Sequence, residues 1–79
     1  MFNVPTDAAV GVNGLIHVSD SGNHRIVMLT ADGLFLSEWK LGDTNHDVYS
    51  PEHIAVSPDG SIVYATDLAS NRVIVLRVR

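Results

Sequence analysis

The sequence predicts an all-β chain of two β-propeller blades, four strands and then three, and three observations carry that reading. Short apolar runs rich in Val and Ile alternate with clusters of Gly, Asn, Asp and Ser, and the runs are too short for helices. The stretch from Val18 to Leu29 returns from Ala65 to Leu76, with Asp20 and Asp67, Arg25 and Arg72, and Leu29 and Leu76 in matching places. The repeat distance is about 46 residues, within the range of propeller blades. Finally, Ile26-Val27-Met28-Leu29 and Val73-Ile74-Val75-Leu76 have no polar alternation, as expected of strands covered on both faces.

The first blade begins with an apolar lead, Met1 to Val4, and with Pro5, which lacks a donor and suits a strand entry. Asp7 to Val10 extends from it. Gly11 to Gly14 turns the chain, with Asn13-Gly14 as a pair that tolerates positive φ in a tight hairpin. Leu15 to Ser19 is the second strand, a polar turn runs to Arg25, and Ile26 to Thr30 is the third. Ala31-Asp32-Gly33 is another hairpin signal, and Leu34 to Lys40 is a fourth strand bearing Phe35 and Trp39, which are read as packing between blades. Leu41 to Ser50, polar and acidic, reads as a loop to a new sheet. Pro51 then restarts the pattern: Glu52 to Val56, the turn Ser57-Pro58-Asp59-Gly60, Ile62 to Thr66 and Arg72 to Val78. The blades are therefore placed at 1–44 and 45–79, the second one incomplete.

At 79 residues the chain is one domain at most, near the size at which a single core becomes marginal. It has no cysteine and no obvious metal cage, so oligomerisation is the expected substitute for a staple. Two blades cannot close a ring. The expectation is a homo-oligomer joined head to tail, six blades from three chains, with an eight-bladed homotetramer as the lesser variant. A piece excised from a longer propeller, or a designed one, accounts for the same features. A net charge of −4 with five Lys and Arg argues against nucleic acid. No basic and apolar leader is read in residues 1–20, and no apolar run approaches a membrane span. The expectation is a soluble chain with no membrane partner.

Pro5-Thr6-Asp7-Ala8-Ala9-Val10, Val18-Ser19-Asp20, Asn23-His24-Arg25-Ile26-Val27, Asp32-Gly33 and Ser37-Glu38-Trp39 together resemble a blade of the NHL-repeat family, and residues 51 to 78 resemble most of another. The resemblance implies a six-bladed ring. Within the family the pattern is closest to the peptidyl-hydroxyglycine amidating lyases, which are zinc enzymes. Their zinc histidines directly follow the blade-opening proline, where this chain has Thr6 and Glu52, and His53 lies one residue on. A one-residue shift turns a strand side chain to the other face. The tyrosine those enzymes carry in the turn between Asp and Arg is also missing here.

The expected function is a structural or interaction module without catalysis of its own, with no cofactor. The alternative is a metal-dependent lyase-like or hydrolytic enzyme using zinc or calcium on the ring axis. Asp20 with Arg25 and Asp67 with Arg72 are read as turn-building pairs, since an active site would more often be singular. Antiparallel order gathers Asp20, His24 and Asp67 at one end with Asp43, His46, Asp47 and Tyr49. Ligand candidates are therefore His24, Asp43, His46 and Asp47 there, and Asp7 and His53 at the inner mouth, where symmetry would multiply them.

Overall fold

Seven strands follow in chain order in the computed structural model, which describes residues 2–40, 50–69 and 71–78. They are β1 (Pro5–Val10), β2 (Ile16–Asp20), β3 (Arg25–Leu29), β4 (Phe35–Lys40), β5 (Pro51–Val56), β6 (Ile62–Asp67) and β7 (Arg72–Arg77). Neighbours pair antiparallel as a four-stranded sheet, β1-β2-β3-β4, and a three-stranded sheet, β5-β6-β7. A single 3-10 turn, Ser21–Asn23, joins β2 to β3. Among the described residues there is no α-helix, and none long and apolar enough to cross a membrane.

The strands differ from the sequence reading mainly at their polar ends. Asp20 pairs with Arg25 and Asp67 with Arg72 in the ladder, so the expected turn residues are the last rungs of each hairpin. Three turns share one design. The carbonyls of Gly11, Thr30 and Ser57 accept the N–H groups of Gly14, Gly33 and Gly60 at 2.9 Å. Those glycines hold φ of 81°, 88° and 78°. Asn13 does not take positive φ, which corrects the expectation of a tight Asn-Gly pair. Its side-chain oxygen instead accepts the Leu15 N–H at 3.2 Å.

The register fixes which residues share a face, because opposed residues project to the same side and neighbours alternate. Asp7, Ser19, Ile26 and Trp39 lie in one row of the first sheet, and Ala9, His17, Met28 and Ser37 in the next row of the same face. This inner face packs on Ile54, Val56, Val63, Ala65, Ile74 and Leu76 of the second sheet. Ile26, Val63 and Leu76 at the centre are fully buried. Trp39 packs against this core, as the sequence suggests, whereas Phe35 does not: a register shift between Met28 and Leu29 opposes it to Leu29, and it is 57% exposed.

The glycine turns permit a direct check. A Cβ on Gly33 meets nothing within 4 Å, so Gly33→Ala should cost only the left-handed backbone penalty, about 1 kcal/mol. A Cβ on Gly60 lies 3.1 Å from the Asn13 amide nitrogen, so Gly60→Ala should cost more. Urea unfolding of both variants would measure the difference.

Candidate functional site

A cluster of polar residues lies where the starts of β1 and β5 meet the end of β2. The opening prolines create this place. A register shift between Pro5 and Asp7 lifts Thr6 out of the β1 ladder, and a matching shift between Pro51 and His53 lifts out Glu52. Three hydroxyls of the first sheet then face the carbonyls freed at the start of the second. The Thr6 hydroxyl lies 2.9 Å from the Glu52 carbonyl and 3.2 Å from that of Pro51. It also contacts the hydroxyls of Ser19 at 2.9 Å and Ser21 at 3.1 Å. Ser19 can donate to the Glu52 carbonyl at 3.3 Å, while Ser21 reaches the Pro51 carbonyl and, at 3.0 Å, the Glu52 carboxylate. The result is a seam of hydroxyls joining the sheets.

Asp7 extends the seam. One carboxylate oxygen accepts the Ile54 N–H of the second sheet at 2.9 Å, and the other accepts its neighbour's Ala8 N–H at 2.9 Å. His53 Nδ1 stands 3.9 Å from the first of these oxygens, with a largely exposed ring. The Ile54 bond is the main influence holding the Asp7 carboxyl below its usual range; burial opposes it, and the Ala8 bond and the His53 charge assist. Asp7 and His53 are thus brought together at the junction of the two sheets.

Asp20 is fully buried at the same end. It accepts the Asn3 N–H at 2.8 Å, the Asn23 amide at 2.9 Å and Arg25 Nε at 2.7 Å, and Arg25 also reaches Glu38 at 3.2 Å. Burial would push its carboxyl up, yet the donors of Asn23, Arg25 and Asn3, with the guanidinium charge, outweigh this and hold it low. Asp67, 2% exposed, accepts the Ser50 N–H at 3.0 Å and the Ala69 N–H at 3.1 Å. Each carboxylate therefore ties down a backbone N–H that lies 17 residues before it, just ahead of the blade-opening proline. Arg72 sits opposite Asp67 in the ladder. His24 is exposed and takes the left-handed conformation (φ 54°), as Asn71 does at the matching place (φ 56°). The remaining candidates Asp43, His46 and Asp47 lie outside the described residues, with Tyr49. Among the described residues no three His, Asp or Glu side chains are placed to hold one metal ion.

Sequence reasoning passed over His17. It occupies the middle of the inner face, is fully buried, and neither ring nitrogen has a hydrogen-bond partner among the described residues. Burial alone pushes its pKa down, so the folded chain holds the ring neutral. In the sequence His17 alternates with Ile16 and Val18 and is followed by Ser19, so it carries the signature of a wet strand face rather than of a buried ring.

The family model of the NHL repeat matches residues 2–28, which span β1, β2, the 3-10 turn and most of β3. The match supports the NHL-repeat family, and with the two antiparallel sheets it indicates a propeller-type structural or interaction module. No curated protein matches the chain.

Two substitutions separate these roles. Asp20→Asn should destabilise by about 2–3 kcal/mol at neutral pH, because it weakens a buried, partly exposed-partner ion pair. The Asp20 pKa is lowered by folding, so its contribution is present above the ordinary 3.8 and is lost as pH falls through the lowered value. The variant's acid unfolding limb should therefore be flatter. His17 runs the other way: its unfolded form takes up a proton below the ordinary 6.5 while the folded form resists, so stability falls as pH falls through 6.5. His17→Leu should remove that slope and gain about 1 kcal/mol by deleting unsatisfied buried nitrogens. Unfolding midpoints followed from pH 8 down into the acid limb below pH 3.8 would check both.

Proposed function

We propose that the chain is a structural and interaction module that self-assembles into a closed propeller and has no catalysis of its own. The observation that carries this reading is the contrast between the two faces of the second sheet. One face is buried against the first sheet through Ile54, Val63, Ala65, Ile74 and Leu76. The other presents Tyr64, Val73 and Val75 at 39%, 60% and 56% exposure, side by side on one apolar face. Two blades, assigned to 1–44 and 45–79, are too few for a ring, since propellers hold four to eight. Three copies supply six blades and four copies supply eight, of which the homotrimer is preferred from the NHL pattern.

The polar cluster supports a joining role. Thr6 and Glu52 stand where the amidating lyases carry zinc histidines, and here the Thr6 hydroxyl and the Glu52 carbonyl are engaged with each other across the seam. Asp20, saturated with donors and held low, is a poor proton acceptor.

Native mass spectrometry and light scattering provide the test. The expected mass at micromolar concentration is three times that of the chain, and a folded monomer would overturn the assembly. Treatment with a chelator should leave the assembled mass and the thermal midpoint unchanged. A loss of either on chelation, restored by zinc or calcium, would favour the enzyme reading instead.

A further inference from the structure

β7 pairs with β6 on one side, and among the described residues no strand pairs with its other edge. The direction of its backbone groups follows from one bond. The Val78 N–H donates to the Ser61 carbonyl at 2.7 Å, and bonded and open rungs alternate along an antiparallel pair, so Ile74 and Leu76 turn their N–H and C=O groups toward β6. Those of Val73, Val75 and Arg77 therefore point out from the edge. In the first sheet the corresponding groups of Ile26, Met28 and Thr30 point toward β4, and the Thr30 N–H donates to the Leu34 carbonyl at 2.8 Å. β7 thus presents the groups with which β3 holds β4.

The charge along this edge is unlike that of the rest of the chain. The sequence has five Lys and Arg, and three of them, Arg72, Arg77 and Arg79, follow its last acidic residue, Asp67. Arg72 and Arg77 stand at the two ends of β7 and both are exposed. Antiparallel pairing of β7 with β7 of a second copy, centred between Ile74 and Val75, would set Arg72 against Arg77 twice, a like-charge opposition that disfavours it. The arginines blunt the edge toward its own kind and favour carboxylates. The β3–β4 ladder shows how an acid is received: Arg25 binds Asp20 and at the same time reaches Glu38 of β4 at 3.2 Å. Arg72, opposite Asp67, holds the corresponding place in the second sheet.

We propose that the outer edge of β7 is a docking strand for an extended acidic peptide of another protein, which adds to the sheet antiparallel as β4 adds to β3. Main-chain bonds to Val73, Val75 and Arg77 supply the affinity, and carboxylates placed near Arg72 and Arg77 supply the selection. The contact uses an edge of the sheet and not a face. It therefore stands whether or not copies of the chain close a ring.

The probe is a capped, fluorescent peptide of residues 34–40 carrying Leu34→Glu and Lys40→Glu, and its control carries Leu34→Lys and Glu38→Lys. The acidic peptide should bind the full chain and the basic one should not. On binding, the amides of Val73, Val75 and Arg77 should gain hydrogen-exchange protection, while those of Ile74 and Leu76, already turned to β6, should not change. Arg77→Glu should weaken binding about fivefold. Val75→Pro removes an outward donor and spares the β6 ladder, so it should keep its β-sheet circular dichroism and lose binding. Equal binding of both peptides, binding that leaves those three amides unprotected, or no binding at millimolar peptide would overturn the proposal. Protection of the same amides that rises with the concentration of the chain alone would place a second copy on the edge and overturn it too. The oligomer mass plays no part in any of these outcomes.

Discussion

Everything in this fold depends on the contact between two sheets that are apolar on both sides. A sheet with one wet face can stand with one partner, but Ile26 and Val27 are adjacent in β3, project to opposite faces and are both buried. Burial of this kind is strong and non-directional, so by itself it would allow the sheets to slide. The hydroxyl seam supplies the direction. Thr6, Ser19 and Ser21 can hydrogen-bond the Pro51 and Glu52 carbonyls in one register only, and Asp7 adds a charge-assisted bond to Ile54. Apolar area gives the contact its stability, and the seam gives it a single arrangement.

The buried aspartates perform a second task that could be mistaken for chemistry. A carboxylate at the end of a strand, beside an arginine and near histidines, has the composition of an active site. Its surroundings in this fold are donors of the same sheet. Each of Asp20 and Asp67 accepts a backbone N–H from the residue that leads into the blade, and Asp20 takes two side-chain donors as well. The three donors occupy most of the accepting capacity of Asp20, and its carboxyl is held low, which makes it a weak proton acceptor near neutrality. The backbone bond to the residue 17 positions earlier is what recurs in both sheets.

Strand order and the repeat were legible because both depend on short-range pattern: Val- and Ile-rich runs, glycine at left-handed turn positions, and Asp and Arg at a fixed spacing. That Asp and Arg recur as a pair at the same place in both sheets could be read from their spacing alone. What escaped the sequence depended on register. Thr6 leaves the ladder because of the shift between Pro5 and Asp7, and Pro5 marks the strand entry without saying that its neighbour is set aside. His17 reads as an ordinary polar alternation until the second sheet covers its face. Phe35 and Trp39 look equivalent on one strand, yet a register shift in the β3–β4 ladder leaves one exposed and the other in the core. Periodicity fixes what a residue faces relative to its neighbours, and only long-range pairing decides whether that face is covered.

The differences between the two copies have their own logic. The junction within the chain is the polar one: Thr6, Asp7, His17 and Ser19 line the face that the second sheet covers. At the matching positions the exposed face carries Glu52, His53, Tyr64 and Thr66, with Val73 and Val75 beside them. A contact inside one chain forms at high effective concentration, so it can rest on hydrogen bonds and tolerate an unpaired imidazole. A contact between separate chains must also offset the translational and rotational freedom lost on association, and apolar and aromatic area is the means best suited to that. Placing tyrosine where the internal junction has a buried histidine exchanges an unsatisfied ring for a large amphipathic one, whose hydroxyl can remain wet at the rim. In the proposed assembly the repeat would keep one packing geometry and divide its chemistry by the entropy each junction must overcome.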